Sequence, residues 1–374
     1  MIKRNFDIII VGAGVSGLIL ADEITKRTNK KVLLLEKEKK LRFEKNLCFW
    51  NIPYNILNKS ADNKWKKVCV IIKGKKHSFN FSGIEYLRIK SKNLYNFFLS
   101  RLKKRKNFKI IMGVKIKSLK SNNNIVEIDT ENKIYTSQLL FDSRIDTNVE
   151  KSHRLLQHFY GVEITFKENI INKDEVILMD IQNKKNNFNF IYVLPFSQNK
   201  ILVETTYFSK RTLSRSKYKQ DIEMYMSRNY FGKQYKIRFC ESGVIPMFKI
   251  IEKNMENCIK IGTAGNWVKQ STGYSLQNSF IYSKQIVDCI IKEKYPKIRK
   301  NNFLNFLDNT FCKFIENNPE TALQFFERFF KRNSLPIIVK FLTNTANLFE
   351  TLKIIISLPK ISLIKTVFEL RLNN

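Results

Sequence analysis

A single carboxylic acid stands in the middle of a strongly apolar stretch, ILVETTYFS at residues 201–209. The β-branched and aromatic residues of this stretch predict a β-strand, and Glu204 is its only acidic or basic residue. Burial of a carboxylate is costly unless the group keeps its proton. Glu204 therefore either faces water on a half-exposed strand or is a buried, protonated acid that could donate a proton.

A second set of residues has the spacing of a dinucleotide-binding site. Gly12, Gly14 and Gly17 follow the apolar run 8–11 in the pattern G-x-G-x-x-G, and apolar residues at helical spacing come after them. Gly12 permits a tight turn, Gly14 lets backbone amides approach a pyrophosphate, and Gly17 lets the helix pack closely. Glu36 ends the next apolar run, 19 residues after Gly17, where its carboxylate can accept hydrogen bonds from ribose hydroxyl groups.

The composition narrows the classes of function. Lys and Arg number 67 against 33 Asp and Glu, a formal net charge of +34, but the basic residues are spread along the chain without a block or a nucleic-acid motif. Nucleic acid is therefore not an expected partner, whereas contact with an acidic membrane surface stays open. Six scattered cysteines without a C-x-x-C pair and only three histidines argue against a metal site or a histidine-based triad.

The hydropathy pattern bears on membranes and targeting. No segment reaches the ~18–20 uninterrupted apolar residues of a spanning helix. The apolar run at 8–20 contains three glycines and lacks an A-x-A cleavage site, which argues against a signal peptide. These patterns predict a cytoplasmic protein.

The nucleotide-binding pattern returns late in the chain. After short strand-like runs that end at Asp142, an apolar run at 258–266 closes on Gly262 and Gly265, and a helical segment follows. A nucleotide domain that is interrupted by an insert and closed by a late glycine-rich turn is typical of FAD proteins. An ordinary strand–turn–helix connection is the alternative interpretation of the late segment alone.

The patterns divide the chain into three regions. Residues 1–150 and 256–300 form a discontinuous FAD-binding nucleotide domain, and the strand-like runs of 151–255 predict an antiparallel-sheet substrate domain. Residues 301–374 are helical and rich in phenylalanine with interleaved Lys and Arg. They predict a layer that covers the sheet, a membrane-facing surface, or both. The fold class is therefore α/β with an α+β insert: a Rossmann-type FAD domain, an inserted sheet and a C-terminal helical region.

With these motifs in order, the sequence resembles the flavin-dependent lycopene cyclases, particularly the bacterial single-chain β-cyclase type. The resemblance covers nearly the whole chain, and the YVLPF…LVETT hairpin followed by GVIP and STGYS is far more specific than the glycine motif. The matching motifs are VGAGVSG at 11–17, LCFWNIP at 47–53, FDSR at 141–144, LLQHFYGVEIT at 155–165, LMD at 178–180, YVLPFSQNKILVETTYFS at 192–209, ESGVIPM at 241–247, and GTAG with STGYS within 262–275.

The resemblance implies an FAD-binding isomerase that closes an ionone ring at the end of a linear carotene such as lycopene. It also implies association with a membrane, so we expect the protein to be bound peripherally on the cytoplasmic side. It implies reduced FAD, with NAD(P)H as the electron source, and no net redox change. The family's acidic motif on this strand has two adjacent carboxylates, whereas this chain reads Val203-Glu204-Thr205-Thr206. Glu204 is therefore the expected catalytic acid, and Glu163, Asp180 and Glu241 are the next candidates. Lys269-Gln270 stands where other members place His-Pro before the S/T-T-G-Y motif.

The site residues expected from these motifs fall into a cofactor set and a substrate set. Strand alternation puts Leu202, Glu204 and Thr206 on one face of their strand, and Val203, Thr205 and Tyr207 on the other. Aromatic faces near the acid would stabilise a carbocation. The expected cofactor-binding residues are Gly12, Ala13, Gly14, Ser16, Gly17, Glu36, Lys37, Asp142, Gly262, Gly265 and Gly273. The expected substrate-pocket residues are Trp50, Tyr192, Phe196 and Tyr207.

Two other classes of function remain open from the sequence. Another FAD-dependent hydroxylase, desaturase or reductase acting on an isoprenoid would use the same scaffold. A basic membrane-surface module without cofactor is the non-enzymatic alternative. Gly262-Thr263 stands where hydroxylases of this fold commonly carry Gly-Asp, which favours the cyclase.

Overall fold

The chain alternates strand and helix at its start, has mainly strands in its middle and ends in helices. A computed structural model describes residues 3–41, 45–51, 56–80, 83–145, 149–182, 187–251 and 255–372. The strands are β1 (Lys3–Val11), β2 (Val32–Glu36), β3 (Asn46–Trp50), β4 (Asn63–Trp65), β5 (Lys67–Ile72), β6 (Lys75–Asn80), β7 (Tyr86–Lys90), β8 (Phe108–Met112), β9 (Ile116–Asn122), β10 (Ile125–Thr130), β11 (Ile134–Asp142), β12 (Leu156–Phe166), β13 (Glu175–Gln182), β14 (Phe188–Ser197), β15 (Lys200–Ser209), β16 (Tyr235–Pro246) and β17 (Cys258–Lys260). The helices are α1 (Val15–Arg27), α2 (Ser91–Leu102), α3 (Arg215–Asn229), α4 (Leu276–Ile291), α5 (Asn302–Asn317), α6 (Ala322–Arg332), α7 (Leu335–Leu342), α8 (Leu348–Ser357) and α9 (Lys360–Leu372).

The first sheet has the parallel centre of a nucleotide-binding fold. Its order within the described residues is β8-β2-β1-β11-β10-β9, with β17 also paired to β11. β1 pairs in parallel with β2 and β11, and every residue of β2 is buried. Helices α1 and α4 pack on this sheet through one apolar cluster that includes Leu18, Leu34 and Ile286. The predicted Rossmann-type domain is confirmed, and the carboxyl ends of its central strands meet at one edge.

The second sheet is mostly antiparallel, as predicted for the insert. Its order in the described part of the chain is β16-β12-β15-β14-β13-β5-β6. The turn between β14 and β15 falls within the predicted loop at 197–200. The predicted boundary at residue 150 is wrong for β5 and β6, which belong to this sheet because β5 pairs in parallel with β13. The sequence did not predict this pairing, because β5 and β13 lie about 100 residues apart and local sequence patterns do not indicate which distant strands pair.

The two faces of the second sheet have different coverings. On one face, Val203 and Tyr207 of β15 pack with Tyr218 and Ile222 of α3. On the other face, Leu202 and Phe208 belong to a cluster shared with the C-terminal helices. This arrangement follows from the side-chain alternation of a strand that is buried on both sides.

The C-terminal helices α5–α9 form the helical region that the sequence predicts. They meet the second sheet through aromatic contacts such as Phe188 with Phe326, whose ring centroids lie 4.8 Å apart. A buried ion pair also joins them to the chain after β17, because Lys269 Nζ lies 2.7 Å from Asp308 Oδ1 and Ser271 donates to the same oxygen. Among the helices of the described residues, none has both the length and the apolar composition needed to cross a membrane.

A third, small sheet has the order β3-β7-β4 in the described residues. Trp65 of β4 donates its indole N–H to the carbonyl oxygen of Pro195, 3.1 Å away on β14. Arg88 of β7 is buried and donates to the side chains of Asn46 and Asn63. The small sheet is thus fastened to the second sheet, and its residue Asn46 reaches the candidate site described below.

Candidate active site

The glycine motif connects β1 to α1. Gly12 has a φ of +98°, in the left-handed region that favours glycine. A Cβ atom on Gly17 would collide with the Gly12 carbonyl oxygen, whereas a Cβ atom on Gly14 would meet nothing within 4 Å. The first turn of α1 has no side-chain cap and no acidic residue. Its N–H groups can therefore bind an anion in the open space beside Gly14.

Glu36 lies beneath this loop at the end of β2. The N–H of Ala13 donates to Glu36 Oε2 at 2.6 Å, and the N–H of Glu38 donates to Oε1 at 3.0 Å. Each carboxylate oxygen keeps acceptor capacity for a ribose hydroxyl. The neighbouring Lys37 is exposed. The structure thus brings Gly12, Ala13, Gly14, Gly17 and Glu36 together at one edge of the sheet.

The side chain of Ser16 contacts helix α4. Its Oγ lies 2.8 Å from the Oγ of Ser279 on α4. A Cβ atom on Gly262 would lie 3.3 Å from the same Ser16 oxygen. The Ser16 side chain thus makes a contact between helices, and its cofactor role stays a prediction. The contact also shows that the late glycine segment meets the first glycine loop.

Asp142, at the end of β11, is buried within an ion-pair network. Arg144 donates to Oδ1 at 2.9 Å and to Oδ2 at 3.0 Å, and Lys260 Nζ lies 3.1 Å from Oδ2. Burial acts to raise the pKa of Asp142, but the hydrogen bonds from Arg144 and the charges of Arg144 and Lys260 outweigh it and hold this pKa below its usual value. The carboxylate is thus engaged within the protein at the edge of the sheet, and the cofactor role of Asp142 stays a prediction.

At the two other late glycines, Gly265 and Gly273, a larger side chain would be sterically unfavourable. A Cβ atom on Gly265 would overlap the carbonyl oxygen of Lys260. Gly273 has a φ of +75°, and a Cβ atom there would lie 3.0 Å from Gln157 Oε1 on β12. Within the described residues, that buried oxygen has no hydrogen-bond partner. The Gly273 turn therefore brings the nucleotide domain into contact with the second sheet.

A cavity of about 910 Å³ lies between the second sheet, the turn around Gly273 and the C-terminal helices. Its volume is near the upper end of the ~300–1,000 Å³ range of small-molecule sites. Leu202, Glu204 and Thr206 line it from β15, and most of the other lining residues are apolar. The predicted alternation of β15 is therefore confirmed, and the partly buried side chain of Glu204 faces this cavity.

Two of the four predicted pocket aromatics line this cavity, Trp50 and Tyr192. Tyr86 joins them, with its hydroxyl 2.9 Å from that of Tyr192 and its ring centroid 4.7 Å from that of Trp50. The prediction for Tyr207 is wrong, because β15 turns it to the opposite face, where its hydroxyl donates to Asp221. The prediction for Phe196 is also wrong: it lies near the end of β14, where Arg88 covers its ring at 3.7 Å from the centroid.

Glu204 lies in a row of directly opposed residues on adjacent strands. The row runs from Glu241 on β16 through Gly161 on β12 and Glu204 on β15 to Tyr192 on β14. A Cβ atom on Gly161 would lie 3.3 Å from the Cβ of Glu204 and 3.3 Å from the Cγ of Glu241. Glycine at this position therefore leaves the gap across which the two glutamate side chains approach each other.

The two carboxyl groups of this row have unequal hydrogen-bond partners. Glu204 accepts one bond, from Thr206 Oγ1 at 2.9 Å. Glu241 accepts two from Asn46: the backbone N–H at 2.9 Å from Oε2 and the side-chain Nδ2 at 2.8 Å from Oε1. Arg88 donates to Asn46 Oδ1 at 2.7 Å and so fixes the orientation of that amide. Hydrogen-bond donors stabilise the ionised form of a carboxyl group, so the environment of Glu241 favours ionisation more.

Burial dominates the electrostatics of the pair. It raises the pKa of Glu204 to about 8, and the negative charge of Glu241 adds to this effect while the bond from Thr206 opposes it. Burial also raises the pKa of Glu241, but the Asn46 bonds and the positive charges of Arg88 and Lys45 oppose the rise. Burial and the charge of Glu241 thus favour the protonated form of Glu204, whereas the bonds from Asn46 favour the ionised form of Glu241.

The remaining acid candidates lie outside the cavity lining. Glu163 is 2.6 Å from Lys200 Nζ, and Asp180 is 3.4 Å from Arg228 Nη2. Of the four acids considered from the sequence, Glu204 and Glu241 are the two that the structure brings into the cavity. A glycine inside the strand pattern FYGVEIT was a signal of close approach at Gly161, but it did not indicate which residues approach.

The fold and the site together define a flavoprotein-like architecture. The structure is similar to that of a geranylgeranyl bacteriochlorophyll reductase-like protein from Thermoplasma acidophilum, with a TM-score of 0.59 and 14% identity, over 98% of this chain and 96% of that chain. It is also similar to p-nitrophenol 4-monooxygenase from Pseudomonas putida, with a TM-score of 0.61 and 11% identity, over 100% and 98% of the two chains. At these identities the likeness concerns the fold.

The family is shown by the sequence as a whole. The family model for lycopene cyclase protein matches residues 7–368, and the chain belongs to this family. Neoxanthin synthase of Solanum tuberosum is 26% identical over 313 residues, 78% of this chain and 61% of the relative. Capsanthin/capsorubin synthase of Capsicum annuum is 25% identical over 314 residues, again 78% and 61%. The chain thus spans about three fifths of the length of these relatives.

The raised pKa of Glu204 predicts a pH-dependent contribution to stability. Between pH 4.5 and about 8 the folded protein holds a proton that the unfolded chain has released, so this contribution is present below pH 4.5 and is lost as the pH rises through about 8. Glu204→Gln cannot titrate. The free energy of unfolding of the wild type, measured in urea relative to this variant, should therefore fall across that window. A constant difference would contradict the assignment, and Glu163→Gln controls for the loss of a buried glutamate.

Proposed function

We propose that this protein closes an ionone ring at the end of a linear carotene such as lycopene, in an acid-initiated reaction without net redox change. The observation that carries the proposal is the position of a carboxyl group, Glu204, in a largely apolar cavity, where burial raises its pKa to about 8. A polyene is a very weak base, so the acid that protonates it must be close, dry and protonated. Membership of the lycopene cyclase family supports the same substrate class.

In the proposed reaction Glu204 transfers its proton to the terminal double bond of the polyene. The next reacting double bond attacks the resulting cation and closes the ring, and loss of a ring proton restores a double bond. The aromatic faces of Trp50, Tyr86 and Tyr192 line the cavity beside the acid, where they would stabilise positive charge. The apolar walls keep out water, which would otherwise capture the cation.

The cofactor proposed for this site is FAD in its reduced form, with NAD(P)H as the source of electrons. The residues fit it: the α1 N-terminus is uncapped, Gly14 leaves open space, and Glu36 has acceptor capacity for a ribose. The unpartnered oxygen of Gln157 beside Gly273 could accept a hydrogen bond from the flavin. When bound, reduced FAD supplies an electron-rich ring system that stabilises nearby positive charge.

The proposed cellular position is the surface of a membrane, from which an insoluble carotene would enter. Helices α8 and α9 expose large apolar side chains, including Phe349 at 80% and Ile361 at 87%. Other exposed side chains of the same helices, Ile356 and Ile364, also line the cavity. The same two helices carry Lys353, Lys360 and Lys365, whose positive charges suit an anionic lipid surface.

Replacement of Gly14 tests the cofactor site. Gly14→Val should fold, because its backbone angles suit valine and its side chain would enter empty space, but it should purify without flavin because the pyrophosphate is excluded. Flavin absorbance per mole of protein measures the loss, and circular dichroism monitors folding. Gly17→Ala is the contrasting variant, since its methyl group would collide with the Gly12 carbonyl oxygen and should lower stability. Normal flavin content in Gly14→Val would refute the assignment.

Replacement of Glu204 tests the reaction. Glu204→Gln keeps the size of the side chain but cannot donate the proton, so ring formation should fall by about 10²–10⁴-fold or more with flavin content unchanged. The products formed from lycopene are separated by chromatography, and their molecular masses are measured by mass spectrometry. An unchanged mass indicates cyclisation, whereas a hydroxylase, desaturase or reductase would shift it.

Thr205→Ala is the matched control for Glu204→Gln. Thr205 occupies the family's second acidic position but faces away from the cavity, where its hydroxyl accepts a hydrogen bond from Asn189 at 3.0 Å. This variant should retain most of the ring-forming activity. Near-normal ring formation by folded, flavin-loaded Glu204→Gln would move the acid to another residue.

Liposome flotation tests the membrane proposal. The protein should bind vesicles of anionic lipid at low ionic strength, and added salt should weaken the binding. Phe349→Ser combined with Ile361→Ser should reduce it further. Phe231→Ser removes an equally exposed phenylalanine, at 86%, from the turn after α3 and should have little effect. No binding of the wild type to anionic vesicles would reject the proposal.

A further inference from the structure

Ring closure releases one proton for every proton that it consumes. The acid Glu204 accounts for the first proton, but the reaction also needs a group that removes a proton from the ring cation. That group must reach the same dry cavity, and it must be ionised while Glu204 is protonated. Two protonated carboxyl groups would lack a base, and two ionised ones would lack an acid.

We propose that Glu241 is the base of this site and receives the ring proton after Glu204 has delivered one to the polyene; this inference rests on the proposed function. Glu241 lines the same cavity as Glu204 and approaches it across Gly161. The two N–H donors of Asn46 bind both of its carboxylate oxygens, which stabilises the charged form that a base requires. Among the described residues, the hydroxyl of Thr206 is the one donor to Glu204.

The other titratable groups that face the pair are less suited to this role. They are Cys48 from β3, Tyr192 from β14, Lys45 and Arg88, which are the cations beside Glu241, and the cavity-lining Tyr86, Tyr274 and Lys360. Burial raises the pKa of Tyr86 well above its usual value and that of Tyr274 to about 12, so their hydroxyl groups stay protonated at neutral pH. Burial raises the pKa of Cys48 to about 12 and that of Tyr192 well above its usual value, so both stay protonated at neutral pH. The more distant Asp308 also lines the cavity, but one of its oxygens is bound by Lys269 and Ser271.

The proposed proton transfers balance within one turnover. The O–H bond of Glu204 breaks and a C–H bond forms at the end of the polyene, which leaves Glu204 as the carboxylate. After the new carbon–carbon bond closes the ring, a ring C–H bond breaks; its electron pair forms the ring double bond, and its proton goes to Glu241. Transfer of that proton from Glu241 to Glu204 restores the starting state without any net uptake from water.

A bell-shaped dependence of rate on pH should follow from this arrangement. The pair loses its two protons in two steps, and only the form with one proton carries both an acid and a base. The acidic limb therefore reports ionisation of Glu241, and the alkaline limb reports deprotonation of Glu204. These limbs distinguish a base from a residue that only holds the fold.

The test compares Glu241→Gln with wild type, both flavin-loaded and chemically reduced, using lycopene in anionic vesicles over a pH series. We expect ring formation at the variant's own optimum to fall by about 10²–10⁴-fold, the acidic limb to disappear, and the alkaline limb to move to lower pH because the negative neighbour of Glu204 is gone. Glu163→Gln, which alters a buried carboxylate on β12 outside the cavity lining, should keep the wild-type rate and profile.

A second measurement needs no turnover. The infrared C=O band of the protonated Glu204 carboxyl, identified by its loss in Glu204→Gln, should titrate near pH 8 in the wild type and at lower pH in Glu241→Gln. An unchanged midpoint would overturn the pairing of the two carboxyls. Recovery of the full wild-type rate by Glu241→Gln at low pH would overturn the base role, since Glu204 is protonated there in both proteins.

The outcomes also separate this inference from the proposed function. A wild-type protein that forms no ring from lycopene, although folded and loaded with reduced flavin, would reject the proposed function. Ring formation by the wild type together with undiminished ring formation by Glu241→Gln would reject the role of Glu241 alone.

Discussion

The cost of holding a carboxylic acid in a largely apolar cavity governs the arrangement of this site. Glu204 can remain there because it keeps its proton, and it keeps its proton because burial and a second carboxyl group both disfavour its charge. The second group, Glu241, is tolerated because Asn46 supplies two donors. An isolated buried charge would instead lose several kcal/mol of solvation without compensation. The cavity, the gap at Gly161 and the donors of Asn46 together allow two carboxyl groups to lie side by side away from bulk solvent.

The second sheet sets the spacing between the two carboxyl groups. Residues opposed on neighbouring strands have side chains close together on the same face, and a row across adjacent strands can therefore present several groups to one cavity. Gly161 removes one side chain from the middle of such a row, so that its neighbours meet. The same strands use their other face to pack against α3, which is why Tyr207 supports the sheet and does not meet the cavity.

The site is assembled from parts of the molecule that are distant in the chain. Asn46 and Arg88 come from the small sheet, and the two glutamates come from the second sheet. The C-terminal helices supply the opposite wall of the cavity. The turn at Gly273, which follows the late glycine segment, closes the cavity on the side of the nucleotide domain. The ion pair between Lys269 and Asp308 joins that turn region to helix α5. Both side chains are buried, so the loss of one partner would leave an unpaired buried charge.

Local patterns in the sequence determined much of this protein. Periodicity, glycine spacing and a terminal acid predicted the nucleotide fold around Gly12 and Glu36, because these signals depend on residues near one another in the chain. Alternation within one strand likewise predicted that Glu204 and Tyr207 face opposite ways. Only the tertiary structure decided that β5 and β6 join the second sheet, that Arg88 covers Phe196, and that Glu241 meets Glu204 across Gly161. Those outcomes depend on strand order and register between distant segments, which packing of the whole chain selects and no local pattern records.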